Sequence, residues 1–285
     1  MAQTKQKKPK LSQVLADPIF KPLLRVAISA DGTKSDTLTA VRQLRDDARE
    51  FMQDVIDGDK AHVMIYGSPG TGKTFVVQSS LKENGFIPGQ DYLVARSHIT
   101  SKQLYYALWH SRQKGKFLIL DDCDTVFTEE RSNNLLKAAC DETFREIRWD
   151  SSQNLIDGNG EEIPGSFQFN GTVIITTNIT PNTGKGRMAQ HLKAIRSRCE
   201  PFELTYRNNI EAYSHVFHLV YEKDMLHSQF PDVSWNKKID LLKFLLKNID
   251  HCTALDLRKP GHIIKTMLKH PNNWQRKALR LLKTA

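Results

Sequence analysis

Acidic residues are missing from both ends of this 285-residue sequence. Residues 1–12 hold Lys5, Lys7, Lys8 and Lys10 and no Asp or Glu. Residues 257–285 hold Arg258, Lys259, Lys265, Lys269, Arg276, Lys277, Arg280 and Lys283, again with no acid. These segments carry +4 and +8 of a net +9, which leaves the body near −3 (9 − 12). Basic ends suit a polyanionic partner, and nucleic acid is the leading expectation, with a merely solvated surface as the plain alternative. Cysteine is also scarce. Cys123, Cys140, Cys199 and Cys252 show no CxxC spacing, which argues against a disulfide scaffold and a zinc ribbon and reads as reduced thiols in a cytoplasmic protein. No apolar run approaches the roughly 20 residues a membrane helix needs, so no membrane partner is expected. The lysines of "MAQTKQKKPK" have no apolar segment behind them and do not read as a secretory signal.

What is present is an ordinary globular composition, 39% hydrophobic and 26% charged, at a length that suits one larger domain and a smaller one. Residues 1–35 read as a basic flexible N-terminal arm, although "LSQVLADPIFKPLLRVA" is apolar enough to dock. "DTLTAVRQLRDDAREFMQDVIDG" has helical apolar spacing. Short apolar runs then alternate with helical ones. "HVMIYG", "DYLVAR", "KFLIL", "TVIITTN" and "PFELTY" read as strands. "KTFVVQSSLKENG", "TSKQLYYALWHSRQKG", "ERSNNLLKAACDETFREI" and "MAQHLKAIRSRC" read as helices. That alternation implies a parallel sheet covered on both faces. After residue 207 only helical patterns remain, so residues 36–207 read as an α/β core and 208–285 as a small, basic, all-helical domain.

"GSPGTGKT", residues Gly67, Ser68, Pro69, Gly70, Thr71, Gly72, Lys73 and Thr74, matches G-x-x-x-x-G-K-[ST] between a predicted strand and a predicted helix. Glycines let backbone N–H groups turn around phosphate, and the helix that follows aims its positive end at the same anion, with Phe75 in its first turn expected among the nucleotide-binding residues. Lys73 can reach the β- and γ-phosphates of ATP and the Thr74 hydroxyl can ligate Mg²⁺. "FLILDDCD" is an apolar strand ending in carboxylates. Asp121 stands where Mg²⁺ is held, and Asp122 where a water-polarising carboxylate is wanted.

With these residues the chain resembles an AAA+ ATPase of the P-loop superfamily, with clamp-loader-like, helicase-loader-like and viral members as the nearest in kind. The resemblance covers roughly residues 38–280. It implies a P-loop NTPase parallel sheet, the AAA+ core, followed by a small all-helical lid. "IITTN" resembles the sensor 1 strand, with Asn178 as the polar sensor. "AIRSRCEPFEL" resembles the segment that supplies an arginine finger, Arg198 first and Arg196 as second candidate. "ALDLRKPGHIIKTM" resembles the sensor 2 helix, which implies a nucleotide-facing role for Arg258. The family usually has Glu where this chain has Asp122, so hydrolysis is expected, with weak turnover in an ATP-dependent switch as the alternative. A finger supplied between subunits implies a homo-oligomer, a hexameric ring or an open spiral.

The segment after the second strand, "ARSHITSKQ", lacks the aromatic–apolar–Gly triplet of family unfoldases and carries Arg96 and Lys102. The expected client is therefore nucleic acid, with a possible protein partner in replication. A protein-remodelling chaperone stands second. Tyr105, Tyr106 and Trp109 recur at helical spacing and read as core. Within residues 145–178, "REIRW" and "GSFQFNG" read as the arms of a hairpin inserted near 147–170 and "DGNGEE" as its turn. The resemblance implies a hairpin projecting into a central channel. Its acidic turn suits a coupling or interface element better than a DNA finger. The same resemblance extends to phage-encoded ATPases, which would place the chain in host cytoplasm.

Overall fold

The computed structural model describes residues 7–28, 34–150, 155–158, 160–181, 186–253 and 255–283. The chain divides into two compact units. One comprises Ala48–Ser68 and Gly72–Thr205, the other Met1–Asp47, Pro69–Thr71 and Tyr206–Ala285.

The first unit is built on strands and crossover helices. α1 (Thr37–Asp57) is divided between the two units after Asp47, and after it come β1 (Val63–Tyr66), α2 (Lys73–Glu83), β2 (Tyr92–Arg96), α3 (Ser101–His110), β3 (Phe117–Asp121) and α4 (Glu130–Ala139). Two short arms, β4 (Glu146–Arg148) and β5 (Ser166–Gln168), precede β6 (Thr172–Thr177), α5 (Arg187–Arg196) and β7 (Glu200–Glu203). The sheet runs β7-β1-β6-β3-β2, and every neighbouring pair is parallel. The fold class expected from the alternating pattern is the one adopted. All five residues of β3 are buried, and β6 is buried after its first residue. A strand covered on both faces has no polar alternation, which is why "KFLIL" and "TVIITT" read as continuous apolar runs.

Two expectations need correction here. The helix read over "ERSNNLLKAACDETFREI" ends at Ala139. The Asp141 carboxylate accepts from the backbone N–H groups of Thr143 and Phe144, a local turn that competes with further helix. The excursion that follows does not project freely. β4 and β5 pair antiparallel with Ile147 opposite Phe167, and both side chains are buried with Phe169. Phe167 packs edge-on to Tyr105 and Trp109, each at 5.2 Å between centroids, and Trp149 lies 5.4 Å from Tyr105. The aromatic face of α3 is thus core, as its spacing indicated. A smaller pair, Leu155–Ile156 with Glu162–Ile163, buries Leu155 and Ile163. The turn acid Asp157 lies 3.2 Å from the imidazole of His110 on α3. Apolar residues on one face of each arm make the hairpin fold back onto its own unit.

The second unit is mainly helical, with α6 (Asn209–Phe217), α7 (Trp235–Lys247), α8 (Lys259–Lys269) and α9 (Trp274–Lys283). Asn208 caps α6 and Ser234 caps α7 through their side-chain oxygens. Tyr213, Phe217, Leu241, Leu245, Ile263 and Leu282 sit in its core. The N-terminal segment also belongs there. Residues 1–35 read as a flexible arm, yet from Leu11 the described chain is folded, as a turn of helix at Leu11–Leu15 and a 3₁₀ segment at Pro18–Leu24. Phe20 and Leu23 are fully buried in the same core. Asp17 caps the 3₁₀ segment and pairs with Lys243 at 2.7 Å. Burying two large apolar side chains outweighs the basic charge that suggested flexibility. Among the described residues no helix is long and apolar enough to cross a membrane.

Candidate nucleotide site

β1, β6 and β3 are neighbours, so their carboxyl ends bring three sequence-distant segments together. The loop from Gly67 leaves β1, Asn178 follows β6, and Asp121 and Asp122 end β3. Gly67 has φ +147°, and a Cβ there would lie 2.2 Å from the Leu204 carbonyl oxygen. Gly70 has φ +76°, and its Cβ would lie 2.4 Å from that of Asp256. No larger residue fits either place, so the loop backbone can lie close against its surroundings and turn its N–H groups to a ligand.

Lys73 opens α2 and is nearly buried. Its ammonium donates to the carbonyls of Gly67 (2.8 Å) and Ser68 (2.9 Å) and to Asn178 Oδ1 (2.7 Å). Burial holds its pKa below the ordinary lysine value, against the opposing charges of Asp122, Asp121 and Asp124. The Thr74 hydroxyl donates to Asp121 Oδ1 at 2.5 Å. Asn178 Nδ2 donates to Asp122 Oδ1 at 3.1 Å. One amide therefore bridges the lysine and the second carboxylate. Asp122 has φ +52°, a left-handed backbone that Asp tolerates better than most residues, and its N–H donates to the Thr176 carbonyl at 3.0 Å. Burial first, and then the charge of Asp121, push its pKa above the ordinary value.

Three further side chains join this cluster, and of them only Arg96 stands out in the sequence, as a loop cation rather than as a partner of Asp121. Thr176 donates to Asp121 Oδ1 at 2.7 Å, Arg96 at the end of β2 lies 3.6 Å from Asp121 Oδ2, and Thr177 donates to Asp124 at 2.6 Å. Each depends on strand register. Thr176 and Arg96 both stand opposite Asp121 across their ladders. For the threonines the only hint in the sequence was an apolar strand ending in three polar residues, "TTN".

The remaining candidates lie elsewhere. Arg198 follows α5 and donates to the Ala194 carbonyl at 2.8 Å. The Nε of Arg196 is buried without a hydrogen-bond partner among the described residues. No described contact brings either arginine to Lys73. Phe75 is 54% exposed. Arg258 belongs to the helical unit, where its N–H donates to Asp256 Oδ1 at 2.8 Å as α8 begins. The residues gathered around Lys73 fit a polyphosphate with a divalent cation. They provide an ammonium, a loop of glycine backbone, a hydroxyl and carboxylate pair for a hard metal, and a further carboxylate beside an amide.

A parallel sheet in the order β7-β1-β6-β3-β2, with a G-x-x-x-x-G-K-T loop leaving β1, defines a P-loop α/β fold. No protein-family model matches the chain. It is similar to an uncharacterized 36.7 kDa protein from the nrdC–mobD intergenic region of Enterobacteria phage T4, at 27% identity over 226 residues, 78% of this chain and 68% of that protein. Among solved structures it is similar to domain III of the Thermotoga maritima replication initiation protein DnaA, with 16% identity, 84% of this chain and 91% of that chain covered, and a TM-score of 0.46. It is also similar to the ADP form of the Aeropyrum pernix ORC2 protein, with 12% identity, coverage of 84% and 67%, and a TM-score of 0.47. All these superpositions are loose, so the fold assignment stands on the chain's own sheet order and loop.

Proposed function

We propose that this protein binds and hydrolyses ATP with Mg²⁺, and couples that cycle, as a homo-oligomer, to work on nucleic acid. The observation that carries the reading is the bridge at Asn178, whose two amide atoms hold Lys73 at 2.7 Å and Asp122 at 3.1 Å beside the Thr74–Asp121 pair. When bound, ATP supplies the phosphoanhydride to be cleaved and Mg²⁺ the positive charge that eases its cleavage. Lys73 exchanges loop carbonyls for phosphate oxygens and neutralises their charge. Thr74 and Asp121 hold the metal. Asp122, whose pKa is raised, polarises the attacking water, and Asn178 orients it. Arg198, or Arg196 beside it, serves the site of a neighbouring copy, and Arg258 serves the nucleotide from the helical unit.

Nucleic acid is favoured as the client by the acid-free, basic C-terminal segment and by Arg96 at the sheet edge. The phage relative suits action in host cytoplasm. ATP turnover measured with and without single-stranded DNA, duplex DNA and RNA, at two salt concentrations, tests this reading. Stimulation by a nucleic acid that fades with salt is expected. Turnover indifferent to all three would shift the client to protein. A second reading, an ATP-dependent switch with weak hydrolysis, is favoured by one observation: Asp122 is a methylene shorter than Glu and already engaged by Asn178. Tight ATP binding without turnover would select it.

A further inference from the structure

We propose that Arg45, on α1, is a positioning residue for the phosphate loop. This rests on the nucleotide reading of that loop. Arg45 is only 5% exposed, and its Nη1 donates to the Thr71 carbonyl at 3.1 Å. Its charge also acts on the Tyr206 phenol, lowering a pKa that burial raises. That phenol in turn lies 2.5 Å from His215 Nδ1. Burial, then the charges of Arg45 and His218, hold His215 well below its ordinary pKa, which favours the neutral imidazole beside the phenol. Arg45, Pro69–Thr71, Tyr206 and His215 all belong to one compact unit.

The consequence follows from peptide geometry. A trans peptide is planar, with its C=O and N–H pointing in opposite directions. Fixing the Thr71 carbonyl therefore fixes the direction of the Gly72 N–H. Gly72 immediately precedes Lys73, and its amide is among those that cradle phosphate in a G-x-x-x-x-G-K-T loop. A guanidinium is costly to bury, and an apolar side chain would fill the same space without that cost. What the arginine adds is a charge-assisted bond to one carbonyl of the loop, braced from behind by Tyr206 and His215.

The test uses the full chain with Mg²⁺. ATP affinity, KM, kcat and thermal midpoint without nucleotide are measured for wild type, Arg45→Met, Arg45→Lys, Tyr206→Phe and Lys73→Ala. Arg45→Met is expected to weaken ATP binding and raise KM by roughly tenfold or more, with kcat changed less than about threefold. Arg45→Lys recovers part of the affinity, and Tyr206→Phe shifts it in the same direction by less. Wild-type affinity in Arg45→Met overturns the proposal. So does a loss shared by KM, kcat and thermal midpoint that lysine does not rescue, because that is the mark of a structural residue. If Arg45→Met does not fold, unchanged affinity in both Arg45→Lys and Tyr206→Phe overturns it instead. If wild type binds no ATP, the nucleotide reading fails and this one with it. If wild type binds, Lys73→Ala does not and Arg45→Met matches wild type, only this inference fails.

Discussion

An ammonium has three N–H donors, and Lys73 gives them to Gly67, Ser68 and Asn178. Phosphate oxygens have to compete with those acceptors, which makes the loop a pre-formed cradle rather than a passive turn. Asp122 carries the opposite tension. Burial first, and then the charge of Asp121, penalise its ionised form, so its folded pKa lies above its unfolded one. The stability linked to a raised acid pKa is fully present below the unfolded pKa and lost as pH rises through the folded one. Asp122→Asn removes that charge, keeps the Asn178 partner and tolerates φ +52°. It is expected to raise the thermal midpoint at pH 7, with the gain vanishing in acid, while turnover falls about 100-fold and ATP binding persists. Parallel melting curves across pH and a turnover assay check both halves. A variant both less stable and fully active would remove Asp122 from the water-activating role. Lys73, Thr74, Asp121, Asp122 and Asn178 were legible in the sequence because each sits in a contiguous motif. Thr176, Arg45 and the pairing of Arg96 with Asp121 were not, because these partners are set by register or by packing of distant segments.

The strands and helices of the α/β unit follow from run length and period, and the elements that misled are those decided by tertiary contacts. The hairpin is the clearest. Its arms look charged and turn-rich from Arg145 to Gly171, yet alternate residues Ile147, Phe167 and Phe169 face inward. Phe167 is in contact with two rings of α3, so Phe167→Ala is expected to cost about 3 kcal/mol in chemical denaturation. A hairpin free in solution would lose almost nothing. The start of α1 offers a second case. Arg42 donates to Glu222, and His218 Nδ1 lies 2.8 Å from the same carboxylate. Burial alone would raise the Glu222 pKa, but the hydrogen bonds from His218 and Arg42 outweigh it and bring it to about 2. A depressed acid pKa contributes stability above the unfolded value that is lost as pH falls through the folded one. Glu222→Gln should therefore be destabilised by about 1–3 kcal/mol at pH 7. The gap to wild type should close as pH falls from the usual glutamate range toward about 2. Equilibrium unfolding between pH 2 and 7 reads that convergence directly, with pH-independent destabilisation as the contrary result.

At the scale of the whole chain the sequence pattern places one boundary near residue 207 and does not show that the described residues between Leu11 and Asp47 belong with the C-terminal helices, since no local pattern states which core a docked segment joins. The same scale governs the arginines. Among the described residues the Arg198 side chain donates to the Ala194 carbonyl at its own helix end, and its charge also acts on Asp141; its reach toward another copy is the part of the reading still to be tested. A residue acting between copies has a signature that a residue acting within one copy lacks. Lys73→Ala has a disabled loop and an intact arginine; Arg198→Ala has the reverse. Each should be inactive alone, with turnover down about 100-fold or more. In an assembly of heterologous contacts, mixing them creates interfaces where an intact loop meets an intact arginine, about one in four at equal amounts. Turnover should therefore recover toward a quarter of wild type on mixing and fall again on dilution. If mixing restores nothing while wild type remains concentration-dependent, Arg198 acts within its own copy or only structurally. The same mixture made with Arg196→Ala then asks whether the neighbouring guanidinium is the one that crosses.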